Sequence, residues 1–116
     1  GISNNVQEYM HMTTTPEAIH LRAQLAGKAK VIELEDAGTH WYPCGFASVN
    51  IKPARGKFVA FCKQHGIGRP NSYHGGYDIS VRDGGQSLTL KEAYANEYAR
   101  VLNENGINAT VRTMID

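Results

Sequence analysis

Arg55-Gly56-Lys57 stands directly before an apolar stretch, Phe58 to His65, that reads as a short helix closed by Gly66. Two cations and a glycine at a helix start can hold an anion. The first turn offers unpaired N–H groups and a partial positive charge, and glycine permits close approach. The same tripeptide also suits a solvated loop, because a short basic loop is far less specific than a full phosphate-binding motif. His40-x3-Cys44 and Cys62-x2-His65 have zinc-like spacing at both ends. Against zinc, Cys44 opens a strand and Cys62 sits in an apolar helix, where cysteine acts as a small hydrophobe. We expect no metal and no cofactor. Cys44, His74 and Asp78 would supply the nucleophile, base and orienting acid of a thiol enzyme, but nothing local activates the thiol: no helix clearly starts at Cys44, and His74 lies in a Gly-rich segment. Binding is expected ahead of catalysis.

Charge supports that order. The chain carries a formal net charge of +1, but no Asp or Glu occurs between Asp36 and Asp78. Lys52, Arg55, Lys57, Lys63 and Arg69 fall in this window, together with seven aromatics, among them Trp41, Tyr42 and Phe46. A basic, aromatic window fits an anionic partner: a nucleic acid, a nucleotide-like ligand or an acidic protein surface. The expected anion-binding set is Arg55, Gly56 and Lys57, supported by Lys52, Arg82 and Arg112 from the face of a sheet. Trp41, Tyr42 and Phe46 are the expected stacking or contact residues. The alternative is a protein-interaction or host-inhibitory module, homo-oligomeric or not, whose contact face is apolar.

These residues need elements to position them. Thr15-Pro16-Glu17 is a helix start, Ala18 to Ala26 follow at roughly helical spacing, and Gly27 offers a stop. Lys30 to Glu35 suits either a strand or a second helical segment. Cys44 to Lys52, Tyr77 to Arg82 and Ala109 to Ile115 alternate as half-exposed strands, and Gly68 to Ser72 is a turn-rich loop. Thr89-Leu90-Lys91-Glu92 is a capping box for a long helix with a Tyr94, Tyr98, Val101, Leu102 stripe that Gly106 ends. Strands that are polar at every second residue point to a sheet covered on one face. The expected fold is a two-layer α/β (α+β) sandwich, with helices on one face of a small sheet of three or four strands and mixed strand direction left open.

At 116 residues the chain supports one core. His11-Met12 reads as a cloning junction, so residues 1–11 are expected to be vector-derived and residues 12–116 to form a single globular domain. No apolar run approaches bilayer length and no signal peptide is apparent, which makes a cytoplasmic location the expectation, with no membrane partner.

Cys44-Gly45-Phe46-Ala47, the Pro53-Ala54-Arg55-Gly56-Lys57-Phe58 stretch, Gly75-Gly76-Tyr77, Gly85-Gln86-Ser87 and Lys91-Glu92-Ala93-Tyr94-Ala95 carry a further indication. From Cys44 to Asp116 the chain resembles a family of small, largely uncharacterised bacteriophage and prophage proteins. In that family the position held here by Ser48 is usually aromatic. The resemblance implies an origin on a mobile element and an accessory or host-interfering role.

Overall fold

Thr15 and Pro16 begin the first helix as their chemistry dictates. In the computed structural model, which describes residues 14–38, 43–85 and 87–116, the Thr15 hydroxyl accepts from the Ala18 N–H at 3.2 Å and α1 runs from Pro16 to Asp36. Residues 1–11, expected to be vector-derived, lie outside the described residues. Ile19, Ala23, Gly27 and Val31 are buried and recur at every fourth position, one stripe along α1. The helix therefore runs through Gly27, which does not stop it, and Lys30 to Glu35 continue it. The physical reason is packing. The Tyr94 ring lies against the bare Cα of Gly27, where a Cβ would come within 2.6 Å of ring carbon.

The remaining elements follow as β1 (Gly45–Ile51), α2 (Lys57–Gln64), β2 (Arg69–Pro70), β3 (Tyr77–Ser80), α3 (Leu88–Glu104) and β4 (Ala109–Ile115). The sheet order is β2-β3-β1-β4, and every neighbouring pair is antiparallel. The α+β sandwich is as expected, with four strands and no parallel pair among them. Arg69-Pro70, expected as loop, forms a two-residue edge strand, a place where the missing proline N–H is tolerated. Along β1, Ala47, Val49 and Ile51 enter the core beneath the helices, as their alternation predicts.

α3 begins earlier than its sequence suggests. Its N-cap is Ser87, whose hydroxyl accepts from the Leu90 N–H at 3.3 Å, and not Thr89 of the capping box. Ser87 is extended and bridges to Cys44, just ahead of the inner strand β1, and the Leu88 N–H donates to the Pro43 carbonyl at 2.7 Å. These bonds turn the chain into helix two residues ahead of Thr89. From there α3 buries Leu90, Tyr94, Ala95, Tyr98 and Leu102 between α1 and the sheet. Among the described residues no buried side-chain polar atom lacks a hydrogen-bond partner, and no helix is long and apolar enough to cross a membrane.

Candidate functional site

The basic tripeptide lies where the chain leaves the sheet. β1 ends at Ile51, the Lys52 N–H donates to the Asn108 carbonyl at 3.1 Å, and the chain crosses to α2 through the cis Lys52–Pro53 bond. The N-cap of α2 is Gly56, at φ 106° and with no side chain to satisfy the first turn. Lys52, Arg55, Gly56 and Lys57 thereby line one cleft of about 390 Å³, beside Ile51, Phe58, Ile107 and the polar Asn105 and Asn108. Among the described residues no Asp or Glu lines it. The ion pairs among the described residues are Lys30–Glu33, Arg100–Glu97 and Arg100–Glu104, all within α1 or α3, so none engages a cation of the acid-free window.

The other two expected cations lie elsewhere. Arg112 is half-buried on β4 opposite Ser48, four positions beyond Asn108, or about 13 Å along the strand. Arg82 follows β3. Extending the β1–β3 register places it beside Phe46, about 20 Å from Lys52 along β1. The two arginines therefore do not join the cleft. Phe46 is 55% exposed, with the Lys91 ammonium 5.0 Å from its ring centroid; Lys91 itself is buried and donates to the Gly45 carbonyl at 3.1 Å. Trp41 and Tyr42, like His40, lie outside the described residues.

Part of the sheet face expected to be open is closed by a loop. Asn50 points away from the core yet is only 2% exposed, because the Asn71–Gly76 segment folds over it. Gly76, at φ 79°, allows this approach: a Cβ there would lie 2.7 Å from the Asn50 amide oxygen. Asn50 Nδ2 and Asn71 Nδ2 each donate to the Asp78 carboxylate at 2.7 Å, and Asn71 Oδ1 accepts from the Tyr73 and His74 N–H groups at 2.9 Å. The Asp78 carboxylate is thus held by two amides, and among the described residues it forms no ion pair.

The thiol-enzyme arrangement is not assembled. Asp78 pairs with Asn50, six positions along β1 from Cys44, or about 20 Å. Cys62 is fully buried, and that burial pushes its thiol up to about 11. Among the described residues no group of three or more His, Cys, Asp or Glu is placed to hold a metal ion.

A second cleft, of about 640 Å³, contains a pair that the sequence reading missed. It lies at the edge of β3 and is lined by His20, Gln24, Arg69, Arg82, Tyr94 and Tyr98 among others. His20 Nδ1 and the Tyr98 hydroxyl are 2.7 Å apart. Burial holds His20 below its ordinary value, with a smaller contribution from His65, and burial also raises Tyr98. Both shifts favour the neutral pair. A signal for it existed: a buried tyrosine needs a partner for its hydroxyl, and His20 is one of the polar residues flanking the buried stripe of the opposing helix. No family model, no curated protein and no solved structure matches this chain.

Proposed function

We propose that the chain is a non-enzymatic binding protein that engages an anionic partner through the cleft of Lys52, Arg55, Gly56 and Lys57. The observation that carries this reading is the start of α2, without a side-chain cap and set among three cations in a cleft whose described wall holds no acid. A phosphate or carboxylate there accepts from the free first-turn N–H groups. Arg55 can meet it with a guanidinium fork, and Lys52 and Lys57 add point charge. Ile51, Phe58 and Ile107 beside the cations suit the less polar part of a nucleotide-like ligand or a nucleic acid strand. An acidic protein surface offers the same anionic chemistry. The resemblance to bacteriophage and prophage proteins supports a mobile-element origin for such a binder.

The test is fluorescence anisotropy with a labelled single-stranded oligonucleotide and with a labelled nucleoside triphosphate, titrated against salt. If the cleft's cations neutralise three phosphates of a single strand, the log–log slope is about −2, or roughly 20-fold weaker binding between 50 and 200 mM salt. Arg55→Ala combined with Lys57→Ala should abolish the signal. A double variant that binds like the parent chain overturns the reading. Binding that ignores salt favours the alternative, a protein-interaction or host-inhibitory module, for which the exposed Phe46, Met114 and Ile115 speak.

A further inference from the structure

β4 is an outer strand of the sheet, and among the described residues its far edge pairs with no other strand. The Lys52 N–H donates to the Asn108 carbonyl and the Asp116 N–H to the Cys44 carbonyl. Antiparallel alternation therefore turns the backbone groups of Thr110, Arg112 and Met114 toward β1, and those of Ala109, Val111, Thr113 and Ile115 outward. Ala109 is already satisfied. Its N–H donates to Asn103 Oδ1 at 3.0 Å and its carbonyl accepts from Asn103 Nδ2 at 2.9 Å, so a side-chain amide takes the place of a neighbouring strand. What remains is Val111, Thr113 and Ile115, with Thr113 at the midpoint.

We infer that the protein forms a two-fold dimer through this edge, with Thr113 on the axis, so that two sheets become one continuous sheet. Antiparallel pairing about Thr113 sets Thr113 against its own copy and Val111 against Ile115 of the second copy, which uses all of the remaining groups. Burial complements itself in the same register. On the side facing the helices, Ala109 is buried, Val111 is half-buried, and Thr113 and Ile115 are exposed, Ile115 by 70%. The two-fold lays the uncovered half of each strand beside the covered half of the other, with Ile115 against Val111.

Charge agrees with that register. Arg112, the one ionisable residue of β4, faces Met114 of the second copy, so no like charges are opposed. The register centred on Arg112 does worse on both counts. It sets two guanidiniums face to face, and it leaves Ile115 opposite Ala109, whose groups Asn103 holds. An edge of seven residues with Thr110, Val111, Thr113 and Ile115 β-branched, and without proline, is one that a monomer leaves open to indiscriminate pairing. The dimer is independent of the proposed anion cleft, and either can fail alone.

Sedimentation velocity from low micromolar to near-millimolar protein reads the inference. The parent chain should dimerise with rising concentration. Thr113→Lys, which opposes two ammonium groups on the axis, and Thr113→Pro, which removes its N–H, should both stay monomeric with unchanged far-UV circular dichroism. If the proline variant misfolds, the lysine variant decides. In a Cys44→Ser background, Thr113→Cys should cross-link to its copy on oxidation, since hydrogen-bonded antiparallel pairs hold Cα atoms about 5.5 Å apart, within disulfide reach. Val111→Cys, facing Ile115, should stay unlinked. A parent chain that is monomeric throughout, a dimer that survives Thr113→Lys, or equal cross-linking at Val111 overturns the inference.

Discussion

Gly27→Ala isolates the contact between α1 and α3. In an exposed helix interior the exchange gains about 0.8–1.0 kcal/mol of intrinsic propensity. Here the new methyl would lie 2.6, 2.7 and 2.8 Å from Cδ2, Cε2 and Cγ of Tyr94, against an ordinary carbon–carbon separation of about 3.5–4.0 Å. The ring must therefore retreat by about 1 Å. It has little room to do so, because it stacks on Tyr98 at 6.3 Å and 17°, and the Tyr98 hydroxyl is tied to His20 on α1. Overpacking of this kind costs about 1–3 kcal/mol. The net expectation is a loss of about 1 kcal/mol, read as a lower urea midpoint with an unchanged m-value and a Tm lower by a few degrees. In a Tyr94→Leu background the clash disappears, and the same substitution should become neutral or stabilising, a coupling that a double-mutant cycle measures. If Gly27→Ala stabilises the parent chain by its full propensity gain, Gly27 is a flaw in the helix and the close approach of Tyr94 is refuted.

Two further outcomes follow from hydrogen bonds described above. Because the folded chain holds His20 below its ordinary value near 6.5, the unfolded chain takes up that proton first as pH falls. The His20 contribution is therefore complete above about pH 6.5 and is lost as pH drops through the lowered folded value. The urea midpoint should be lower at pH 5 than at pH 7.5, with part of the slope removed by His20→Gln; a slope that the variant leaves intact assigns the effect to other groups. Ser87→Ala should cost about 1 kcal/mol as the loss of an N-cap, more than Thr89→Ala does. A Ser87→Ala variant as stable as the parent chain would refute the cap.

The strands were legible because their signal is local. Alternation from Cys44, from Tyr77 and from Ala109 needs no knowledge of the rest of the chain, and each stretch forms a strand, although β3 ends at Ser80 and burial along β4 alternates only at its start, with Thr113 and Ile115 exposed. Features set by distant partners were not legible. Gly27 reads as a helix stop until Tyr94, far along the chain, is seen to need the space, and Thr89-Leu90-Lys91-Glu92 reads as a capping box until Ser87 is seen bridging to Cys44. The candidate site divides in the same way. Arg55-Gly56-Lys57 is contiguous and could be found directly, whereas the separation of Arg82 and Arg112 from Lys52 depends on strand register. The cover over Asn50 depends on the fold of the Asn71–Gly76 loop, and the His20–Tyr98 pair on the crossing of two helices.

The strand order also constrains the order of assembly during synthesis. β1 lies inside the sheet, yet both of its neighbours are made later: Val49 pairs with Ile79 on one side and with Val111 on the other. A nascent chain in which β3 has emerged can close the first side. The second side, with the backbone groups of Phe46, Ser48 and Asn50, waits for residues 109–115 to clear the ribosome, and so does the Asn103 amide for Ala109. Native pairing of the sheet is therefore completed after β4 has been translated. Until then the nascent chain exposes the unpaired edge of its most buried strand, a surface on which chaperones and misassembly compete.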